Sequence, residues 1–523
     1  MRAILLLFSG ILAANAADLC SVEGTALDAT TGAPLRDVKL RLRPAGAAAG
    51  RGSIAFVTLT DETGKFAFAA IEPGAYAFTA ERAGFTTEAY GARRPGAPGT
   101  PLTLEPGQKK TSVEFRLRPQ GVMAGRALEA GGEPAGDIFI YAARARYVNG
   151  RKQLALTSRT GSLNDLGEYR IFGLEPGRYY IVAVPIRFAS GAAGPKDISG
   201  RPPETYHTTY YPGTPDPRAA EALDVAPGAI LSGVDLQVIR LTAFSVRGRV
   251  LNQTGGELTE MWVAMNPAAG PGITSFSDAG SQGRVVFDNL PQGTQPVAVG
   301  GTNSRGRVVS TRHMLDVRAN VDDLQLAIKP PFPVQGRLTV EGAAIPKNLK
   351  VKLAMQEPLM GDRSAREADV AADGAFTLPD GSPDRYFASV TGMPDGFYIK
   401  SIRLAKQNVL ENGADLPEKP EQPLEIALSP KAGSIRGTVT GAQAGVVVAL
   451  VPSKGREYRN TTTDEHGRFT IANLPPGEYK LFAWEEVEDG AWMDPAFLKP
   501  IESKGTPVTV REATAETVEL KPL

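Results

Sequence analysis

The chain has 523 residues and a balanced charge, with 57 Lys and Arg against 57 Asp and Glu. It contains 57 Gly and 41 Pro, and this abundance of turn-forming residues excludes a mainly helical fold. Because the formal net charge is zero, no overall positive field favours binding to nucleic acid or to an anionic membrane. Hydrophobic residues make up 42% of the chain, which is enough to form several packed cores.

The N-terminus has the pattern of a secretory signal. An apolar run from Ala3 to Leu12 follows Arg2, and Ala14-Asn15-Ala16 fits a small-x-small cleavage site. The sequence therefore predicts a signal peptide over residues 1–16 and a secreted, periplasmic or cell-envelope protein beginning at Ala17. The apolar run is shorter than the roughly 20 residues that span a bilayer, so no membrane span is expected.

Cys20 is the one cysteine of the sequence, so no intramolecular disulfide can form. Its place just after the predicted cleavage site raises lipid modification as one alternative and an intermolecular bridge as another. The residue before it is Leu19, where a lipoprotein signal resembles a small residue. We therefore expect a free structural thiol.

An imperfect internal repeat runs through the chain. Its first half opens each copy with a glycine between apolar residues, and these glycines lie 101, 123, 88 and 101 residues apart: Gly24, Gly125, Gly248, Gly336 and Gly437. Its second half begins at another glycine in each copy: Gly64, Gly167, Gly283, Gly374 and Gly467. Ten residues later four copies have glycine, namely Gly74, Gly177, Gly293 and Gly477, and twelve residues later four have tyrosine, namely Tyr76, Tyr179, Tyr386 and Tyr479.

The spacing predicts an antiparallel hairpin in each copy. An Asp-x-x-Gly or Asp-Gly turn, with Asp61, Asp165, Asp373 or Asp464, precedes a strand whose apolar residues alternate. A Pro-Gly turn then leads into a strand opened by the tyrosine, which resembles a tyrosine corner whose hydroxyl bonds back to nearby backbone. Each copy holds roughly seven short strands, the content of an immunoglobulin-like sandwich. The sequence thus predicts an all-β chain of tandem antiparallel β-sandwiches.

Five sandwiches follow the signal peptide in the predicted domain map. They cover residues 17–118, 119–241, 242–330, 331–430 and 431–523, and Pro330-Pro331 is the strongest linker signal. The second sandwich carries a loop insertion over 187–227. The third and fourth depart most from the repeat, with Gln295 in place of tyrosine and Asp380-Gly381-Ser382-Pro383 in place of the Pro-Gly turn. Short helices are expected near Pro217–Leu223 and Trp492–Leu498.

The first, second and fifth copies resemble carboxypeptidase regulatory-like domains. The resemblance lies in Val22-Glu23-Gly24 through Tyr76, in Asp165 through Tyr180, and in Asp464 through Tyr479, and it extends to Tyr90-Gly91-Ala92-Arg93-Arg94-Pro95 and Phe482-Ala483-Trp484-Glu485-Glu486. It implies transthyretin-like β-sandwiches, related to the Cna-B-type and starch-binding-like (carbohydrate-binding-like) folds, in a secreted protein. It implies no catalytic activity, because peptidases that carry this domain have their chemistry in a separate domain.

The sequence offers little for catalysis or metal binding. The three histidines, His207, His313 and His466, are about 100 or more residues apart, whereas a zinc peptidase needs clustered ligands. No Gly-x-Ser-x-Gly or Walker-type motif is present. The turn carboxylates are too few for calcium, so we expect them to bond to the turn backbone. No catalytic residue, metal or cofactor is predicted.

Aromatic residues in loops are the remaining candidates for ligand binding. Sugar-binding sandwiches stack rings on sugars, and the rings to consider are Trp484, Trp492, Tyr206, Tyr210 and Tyr211. The alternative is that these rings pin long loops onto their sandwiches. A binding protein should expose them, whereas a spacer should bury them.

The residues leave three functions open. The first is a non-enzymatic, secreted binding or scaffold protein that takes carbohydrate or an extracellular or envelope protein as its partner. The second is a purely structural envelope spacer or adhesion stalk. The third is a hydrolase, or an accessory module of a peptidase or glycan-degrading system, and a hydrolase would need a polar cleft between sandwiches with a nucleophile and a base.

Overall fold

The structure is a computed structural model. It describes residues 19–45, 55–92, 99–148, 151–185, 203–265, 275–279, 283–355, 366–418, 420–441, 445–455, 457–464, 466–485 and 487–523. The predicted signal peptide and cleavage site lie outside these residues, as do residues 93–95 of the quoted motif and residues 187–202 of the predicted insertion.

Close contacts group the chain into two compact units. One unit comprises the described residues up to Ala124 with Arg170–Arg178 and Leu223–Ser232. The other comprises Gly125–Tyr169, Tyr179–Ala222 and Gly233–Leu523.

The first sandwich contains eight described strands: β1 (Cys20–Asp28), β2 (Lys39–Pro44), β3 (Phe56–Leu59), β4 (Lys65–Ile71), β5 (Gly74–Glu81), β6 (Glu88–Ala89), β7 (Leu102–Leu104) and β8 (Lys109–Leu117). One sheet has the order β4-β1-β8, and the other has β3-β2-β5-β6 with β7 also paired to β5. Alternating residues of both sheets, such as Leu40 and Leu42, form one core. Cys20 belongs to this core, where its thiol donates to the Glu105 carbonyl over 3.0 Å. This burial supports a structural role for Cys20.

The next strands are β9 (Gly121–Leu128), β10 (Ile138–Val148), β11 (Arg151–Ser162), β12 (Glu168–Leu174), β13 (Gly177–Pro185), β14 (Glu204–Tyr206), β15 (Thr209–Tyr210), β16 (Leu223–Val225), β17 (Ile230–Leu231) and β18 (Leu236–Gln237). One sheet of the second sandwich has the order β12-β9-β17, with β18 also on β9. The other has β11-β10-β13-β15, with β16 also on β13. A single 3-10 turn at Pro217–Ala219 stands where a short helix was predicted.

The third sandwich contains β19 (Arg240–Asn252), β20 (Leu258–Met265), β21 (Ser275–Asp278), β22 (Arg284–Pro291), β23 (Gly293–Asn303), β24 (Val308–Val317) and β25 (Val321–Ile328). Its sheets are β14-β19-β22, with β25 on β19, and β21-β20-β23-β24. Strand β14 comes from the predicted loop insertion of the second sandwich, so part of that insertion is a strand of the third. The predicted domain boundaries themselves stay predictions.

The fourth sandwich contains β26 (Phe332–Val340), β27 (Lys350–Met355), β28 (Arg366–Asp369), β29 (Ala375–Gly381), β30 (Asp384–Thr391), β31 (Tyr398–Leu404), β32 (Gln407–Asn408), β33 (Ala414–Leu416) and β34 (Leu424–Ser429). Its sheets are β29-β26-β34-β31-β32 and β28-β27-β30-β33. A short helix, α1 (Val409–Asn412), was not predicted from the sequence, and the Asn408 side chain caps its first turn.

The fifth sandwich contains β35 (Gly433–Val439), β36 (Val447–Pro452), β37 (Arg459–Thr462), β38 (Arg468–Leu474), β39 (Gly477–Trp484), β40 (Thr506–Val510) and β41 (Ala515–Leu520). Its sheets are β38-β35-β41 and β37-β36-β39-β40. The predicted helix near Trp492–Leu498 is a 3-10 turn at Ala491–Met493 followed by α2 (Pro495–Leu498) and a further 3-10 segment at Lys499–Lys504. The predicted all-β fold of immunoglobulin-like β-sandwiches is confirmed.

Most strand pairs are antiparallel, but the first strand of each sandwich pairs in parallel with its last strands. These pairs are β1 with β8, β9 with β17 and β18, β19 with β25, β26 with β34, and β35 with β41. The sequence did not predict this parallel pairing. It brings the two ends of each copy together and so closes the sandwich.

The opening glycines of the repeat lie where these two strands approach most closely. A Cβ added to Gly24 would lie 1.9 Å from the Val113 carbonyl oxygen, and one added to Gly248 would lie 2.0 Å from that of Leu324. The same clash would occur at Gly125, Gly336 and Gly437. Glycine is required here by the close approach of a neighbouring backbone.

The second glycine of the repeat is required for a different reason. Gly64, Gly167, Gly283, Gly374 and Gly467 all have φ between 65° and 86°, a backbone region that favours glycine. In each copy the carbonyl of this turn glycine accepts a hydrogen bond from the first strand; Gly64, for example, accepts from the Ala26 amide at 2.8 Å. The turn therefore fixes one edge of the first strand, while the last strand fixes the other.

We predict that Gly248→Ala destabilises the third sandwich by about 1–3 kcal/mol, because the added methyl group collides with a backbone oxygen. Hydrogen exchange of the full chain, followed by mass spectrometry, should show faster exchange in β19, β22 and β25. Gly256→Ala is the matched control, since its added Cβ would meet nothing within 4 Å. Equal exchange in the two variants would contradict this explanation of the repeat.

Candidate functional site

The two candidate tryptophans belong to a buried aromatic stack. Trp484 ends β39 and stacks on Phe482, with ring centroids 5.5 Å apart and planes 9° apart. Trp492 continues the stack at 6.4 Å from Trp484, and the two residues are only 5% and 1% exposed. Neither ring presents the open face that stacking on a sugar requires.

Part of the cover over this stack comes from the second sandwich. Tyr147, near the end of β10, packs against the cluster that contains Trp484 and Trp492. Its hydroxyl donates to Asp494 Oδ2 over 3.3 Å, across 347 residues of sequence. Burial raises the pKa of this hydroxyl, and the nearby Asp494 carboxylate raises it further, so Tyr147 stays a protonated donor. The aromatic stack thus joins two sandwiches.

The three candidate tyrosines of the insertion lie in different surroundings. The Arg240 guanidinium covers the ring of Tyr206 at 5.4 Å from its centroid, and the Tyr206 hydroxyl donates to Glu129. Tyr210 is completely buried in a core with Tyr180 and Val182. Tyr211 is half-buried, and its amide donates to the Ile181 carbonyl. The sequence analysis treated these rings as one cluster, but the structure places Tyr210 in the core and leaves Tyr206 and Tyr211 partly exposed.

The turn acids bond to backbone amides. Asp464 Oδ1 accepts from the amides of His466 and Arg468 at 2.9 and 2.8 Å, and these bonds, with that of Arg468 foremost, lower its pKa below 3.8. Asp61 makes the equivalent bonds in the first sandwich. In the second sandwich the accepting residue is Asn164, one position before the predicted Asp165.

The predicted corner tyrosines also bond to their own turns. The hydroxyls of Tyr76 and Tyr479 each donate over 2.8 Å to the carbonyl four residues earlier, of Glu72 and Pro475 respectively. Burial raises the pKa of Tyr479 to about 12. Tyr179 is buried as well, beneath the guanidinium of Arg144 at 4.6 Å. Of the four glycines at this position of the repeat, Gly74, Gly177 and Gly293 have positive φ, of 154°, 146° and 130°.

No metal cluster is found among the described residues. Within those residues, no three or more His, Cys, Asp or Glu side chains are placed to hold an ion. His207 and His313 each bond to a backbone carbonyl, and His466 is exposed in its turn. No helix within the described ranges is long and apolar enough to cross a membrane.

One open polar cleft lies between the fourth and fifth sandwiches. It has a volume of about 660 Å³. We call it the Glu457 cleft; residues that define it are Tyr398, Lys400 and Glu411 of the fourth sandwich and Lys454, Glu457 and Tyr479 of the fifth. The sequence had predicted only the turn at Pro475-Pro476-Gly477, which forms part of the wall.

Glu457 is the most buried carboxylate of the cleft, with its side chain 22% exposed. Burial raises the pKa of Glu457, and Arg459 opposes this rise. Oε2 of Glu457 is sealed from solvent and has no hydrogen-bond donor among the described residues; the Arg459 guanidinium is 3.9 Å away. The carboxylate is therefore short of positive charge.

Two segments of the chain match the carboxypeptidase regulatory-like domain family, residues 21–118 and 434–490. These two segments are similar to carboxypeptidase regulatory-like domains. The first segment corresponds to the first sandwich, and the second contains most or all of each strand from β35 to β39 of the fifth sandwich. Both segments include the turn glycine and the corner tyrosine of their copy, Tyr76 and Tyr479 respectively. No curated protein sequence matches the chain.

Several solved structures are distantly similar. The TIE protein of Bacillus anthracis is 11% identical, with 76% of this chain and 72% of that one covered and a TM-score of 0.14. A streptococcal ancillary pilin is 10% identical over 59% of this chain and 99% of its own, with a TM-score of 0.19. A shaft pilin of Lactobacillus rhamnosus GG is 10% identical over 42% and 96%, with a TM-score of 0.20. TM-scores this low carry no argument about function.

We predict that acid weakens the Asp464 turn and leaves the Asn164 turn unchanged. A carboxylate whose pKa is lowered by folding stabilises the folded state above its unfolded pKa, and this contribution is lost as the pH falls through the folded value. The stability that the Asp464 carboxylate contributes is therefore lost as the pH falls below about 3.8. Asn164 accepts the same two bonds without titrating, so it serves as an internal control.

The measurement is amide exchange of the full chain, corrected for the intrinsic effect of pH. Protection of the His466 and Arg468 amides should fall on acidification relative to that of Leu166 and Glu168. Parallel changes at the two turns would show that the carboxylate bonds do not stabilise the Asp464 turn.

Proposed function

We propose that the protein is a non-enzymatic, secreted scaffold whose third, fourth and fifth sandwiches are held in fixed relation at their junctions. The observation that carries the proposal is that aromatic and charged side chains, which could otherwise bind a ligand, contact a neighbouring sandwich or linker. The buried Trp492 stack beneath Tyr147 is one such contact. The carboxypeptidase regulatory-like domains support a role without catalysis, and the signal pattern of residues 1–16 supports secretion.

The linker between the first and second sandwiches is fixed within its unit. The Thr86 amide donates to the Arg118 carbonyl and the Gln120 amide donates to the Gly84 carbonyl, both over 2.9 Å. The Arg118 guanidinium also pairs at 2.9 Å with Glu88, whose side chain is only 6% exposed. Burial raises the pKa of Glu88, and Arg118 counteracts this rise. Backbone bonds and a sheltered ion pair therefore hold residues 118–120.

The third and fourth sandwiches are joined by arginines. Arg312 Nε lies 3.0 Å from Asp384 Oδ2, and the two side chains are 16% and 11% exposed. Arg366 of the fourth sandwich donates to the Val308 carbonyl of the third over 3.1 Å. A charge that is partly removed from water is costly unless it is paired or hydrogen-bonded. The fourth sandwich supplies the carboxylate for Arg312, and the third supplies a carbonyl for Arg366.

The fourth and fifth sandwiches are joined by short backbone contacts. The Gly396 amide donates to Asn473 Oδ1 over 2.8 Å, and the Ala432 amide donates to the Gly396 carbonyl over 2.9 Å. Lys431 pairs with Glu512 at 3.3 Å beside them. Contacts of this kind favour a fixed arrangement over flexibly linked beads.

Carbohydrate binding is the finer function that the sequence suggested. The buried rings of Trp484, Trp492 and Tyr210 give it little support, and Tyr206 and Tyr211 retain some exposure, with the Arg240 guanidinium lying over Tyr206. An extracellular or envelope protein is the partner class that a scaffold implies.

We predict that Asp384→Ala loosens both sandwiches at their junction. The substitution removes the Asp384 carboxylate from a sheltered pair with Arg312, at a cost of up to about 3 kcal/mol. Hydrogen exchange should rise in both β24 and β30. Glu367→Ala, which breaks an exposed pair with Lys350, is the control and should cost less than about 1 kcal/mol. A change confined to β30 would indicate independent sandwiches and contradict the scaffold proposal.

We predict that the full chain shows no saturable binding on a broad glycan array. The physical reason is that Trp484, Trp492 and Tyr210 are buried, and the Arg240 guanidinium lies over the ring of Tyr206. Tyr211→Ala is the variant to compare, because Tyr211 is partly exposed and has no guanidinium described over its ring. Strong binding that this substitution abolishes would replace the scaffold role with carbohydrate recognition.

A further inference from the structure

The Glu457 cleft is lined by several charged side chains, and some of them make no ion pair with another described residue. Lys400 is already paired with Glu341 at 2.9 Å, and Glu512 is paired with Lys431. Glu411, Glu457, Glu478 and Lys454 also line the cleft. Within the described residues, Glu411, Glu478 and Lys454 make no ion pair.

Among the described lining residues, the charges beyond those two pairs are mostly negative. Three carboxylates, Glu411, Glu457 and Glu478, face the Lys454 ammonium group, and Glu457 has in addition only a long ion pair with the Arg459 guanidinium at 3.9 Å, which is too long for a hydrogen bond. Oε2 of Glu457 is sealed from solvent, so a ligand would not bond to that atom, but the charge of a cation in the cleft would lower the electrostatic cost of the sheltered carboxylate. The electrostatics therefore select a cationic ligand.

The walls of the cleft suit an aliphatic stem. Pro475 and Pro476 belong to the lining, together with Tyr398 and Tyr479, whose side chains are largely buried. Apolar groups of this kind pack against the methylene groups of a long cationic side chain. A volume of about 660 Å³ is large enough for one long side chain and its neighbouring backbone.

We propose that the Glu457 cleft binds a lysine or arginine side chain of a partner polypeptide, with the cationic group beside Glu457 and the stem along Pro475 and Pro476. This proposal does not depend on the scaffold role. The protein could be a scaffold without binding a cationic side chain at the cleft, and the cleft could bind one even if the sandwiches moved relative to one another. The junction experiment and the binding experiment can therefore fail separately.

The test is fluorescence anisotropy of the full chain with labelled Gly-Gly-Lys-Gly-Gly and Gly-Gly-Arg-Gly-Gly. The matched probe is Gly-Gly-norleucine-Gly-Gly, which keeps most of the stem and lacks the charge. We expect saturable binding of the two cationic peptides and none of the norleucine peptide. Unlabelled N-acetyl-lysine methylamide is the competitor that distinguishes a polypeptide ligand from a single lysine residue. If it competes more weakly than the unlabelled lysine peptide, the result supports a polypeptide ligand. If it competes equally well, the polypeptide assignment is overturned.

Glu457→Gln should weaken binding of the cationic peptides by about tenfold to a hundredfold, the range for losing a charged hydrogen-bond partner. The substitution preserves shape and removes a sheltered charge, so the thermal transition should not fall. Glu421→Gln, an exposed carboxylate outside the cleft, is the matched control and should bind as the unmodified chain does.

The proposal is overturned by absence of saturable binding at millimolar peptide, by equal binding of the norleucine peptide, or by unchanged affinity in Glu457→Gln.

Discussion

The close approach of the first strand to the last strand in each sandwich is the constraint on which the rest of the structure depends. At Gly24 and Gly248 the two backbones are so near that a Cβ would fall about 2 Å from a carbonyl oxygen. The turn glycine bonds to the opposite edge of the same strand. Because backbone groups hold the first strand on both edges, each sandwich closes around its own core, and the loops can vary without loss of the fold.

The sequence revealed those parts of the fold that depend on local geometry. The spacing of glycine and tyrosine is visible because a positive φ, or a hydroxyl that bonds four residues back as in Tyr76 and Tyr479, acts within one short segment. The parallel pairing of first and last strands was not visible. Alternation of apolar residues tells which face of a strand is buried, but it does not identify the strand that lies beside it.

The candidate site was harder to predict because its deciding contacts are distant in sequence. Trp484 and Trp492 could be recognised as aromatic loop residues, yet what covers them includes Tyr147, which lies in another sandwich. The Glu457 cleft likewise combines Glu411 of α1 with the turn at Pro475. Neither segment has a pattern that indicates a site by itself, so only the packing of two sandwiches reveals the cleft.

The fourth sandwich departs from the repeat at positions that serve its neighbours. Asp380, in the segment that replaces the Pro-Gly turn, pairs with Arg307 of the third sandwich at 2.9 Å. Helix α1, which the repeat pattern does not contain, supplies Leu410 and Glu411 to the cleft with the fifth. A cleft between sandwiches that are already joined at Gly396 and Asn473 is preorganised, so less binding energy is spent on ordering its walls. The loss of the repeat pattern in this sandwich is therefore explained by its contacts on both sides.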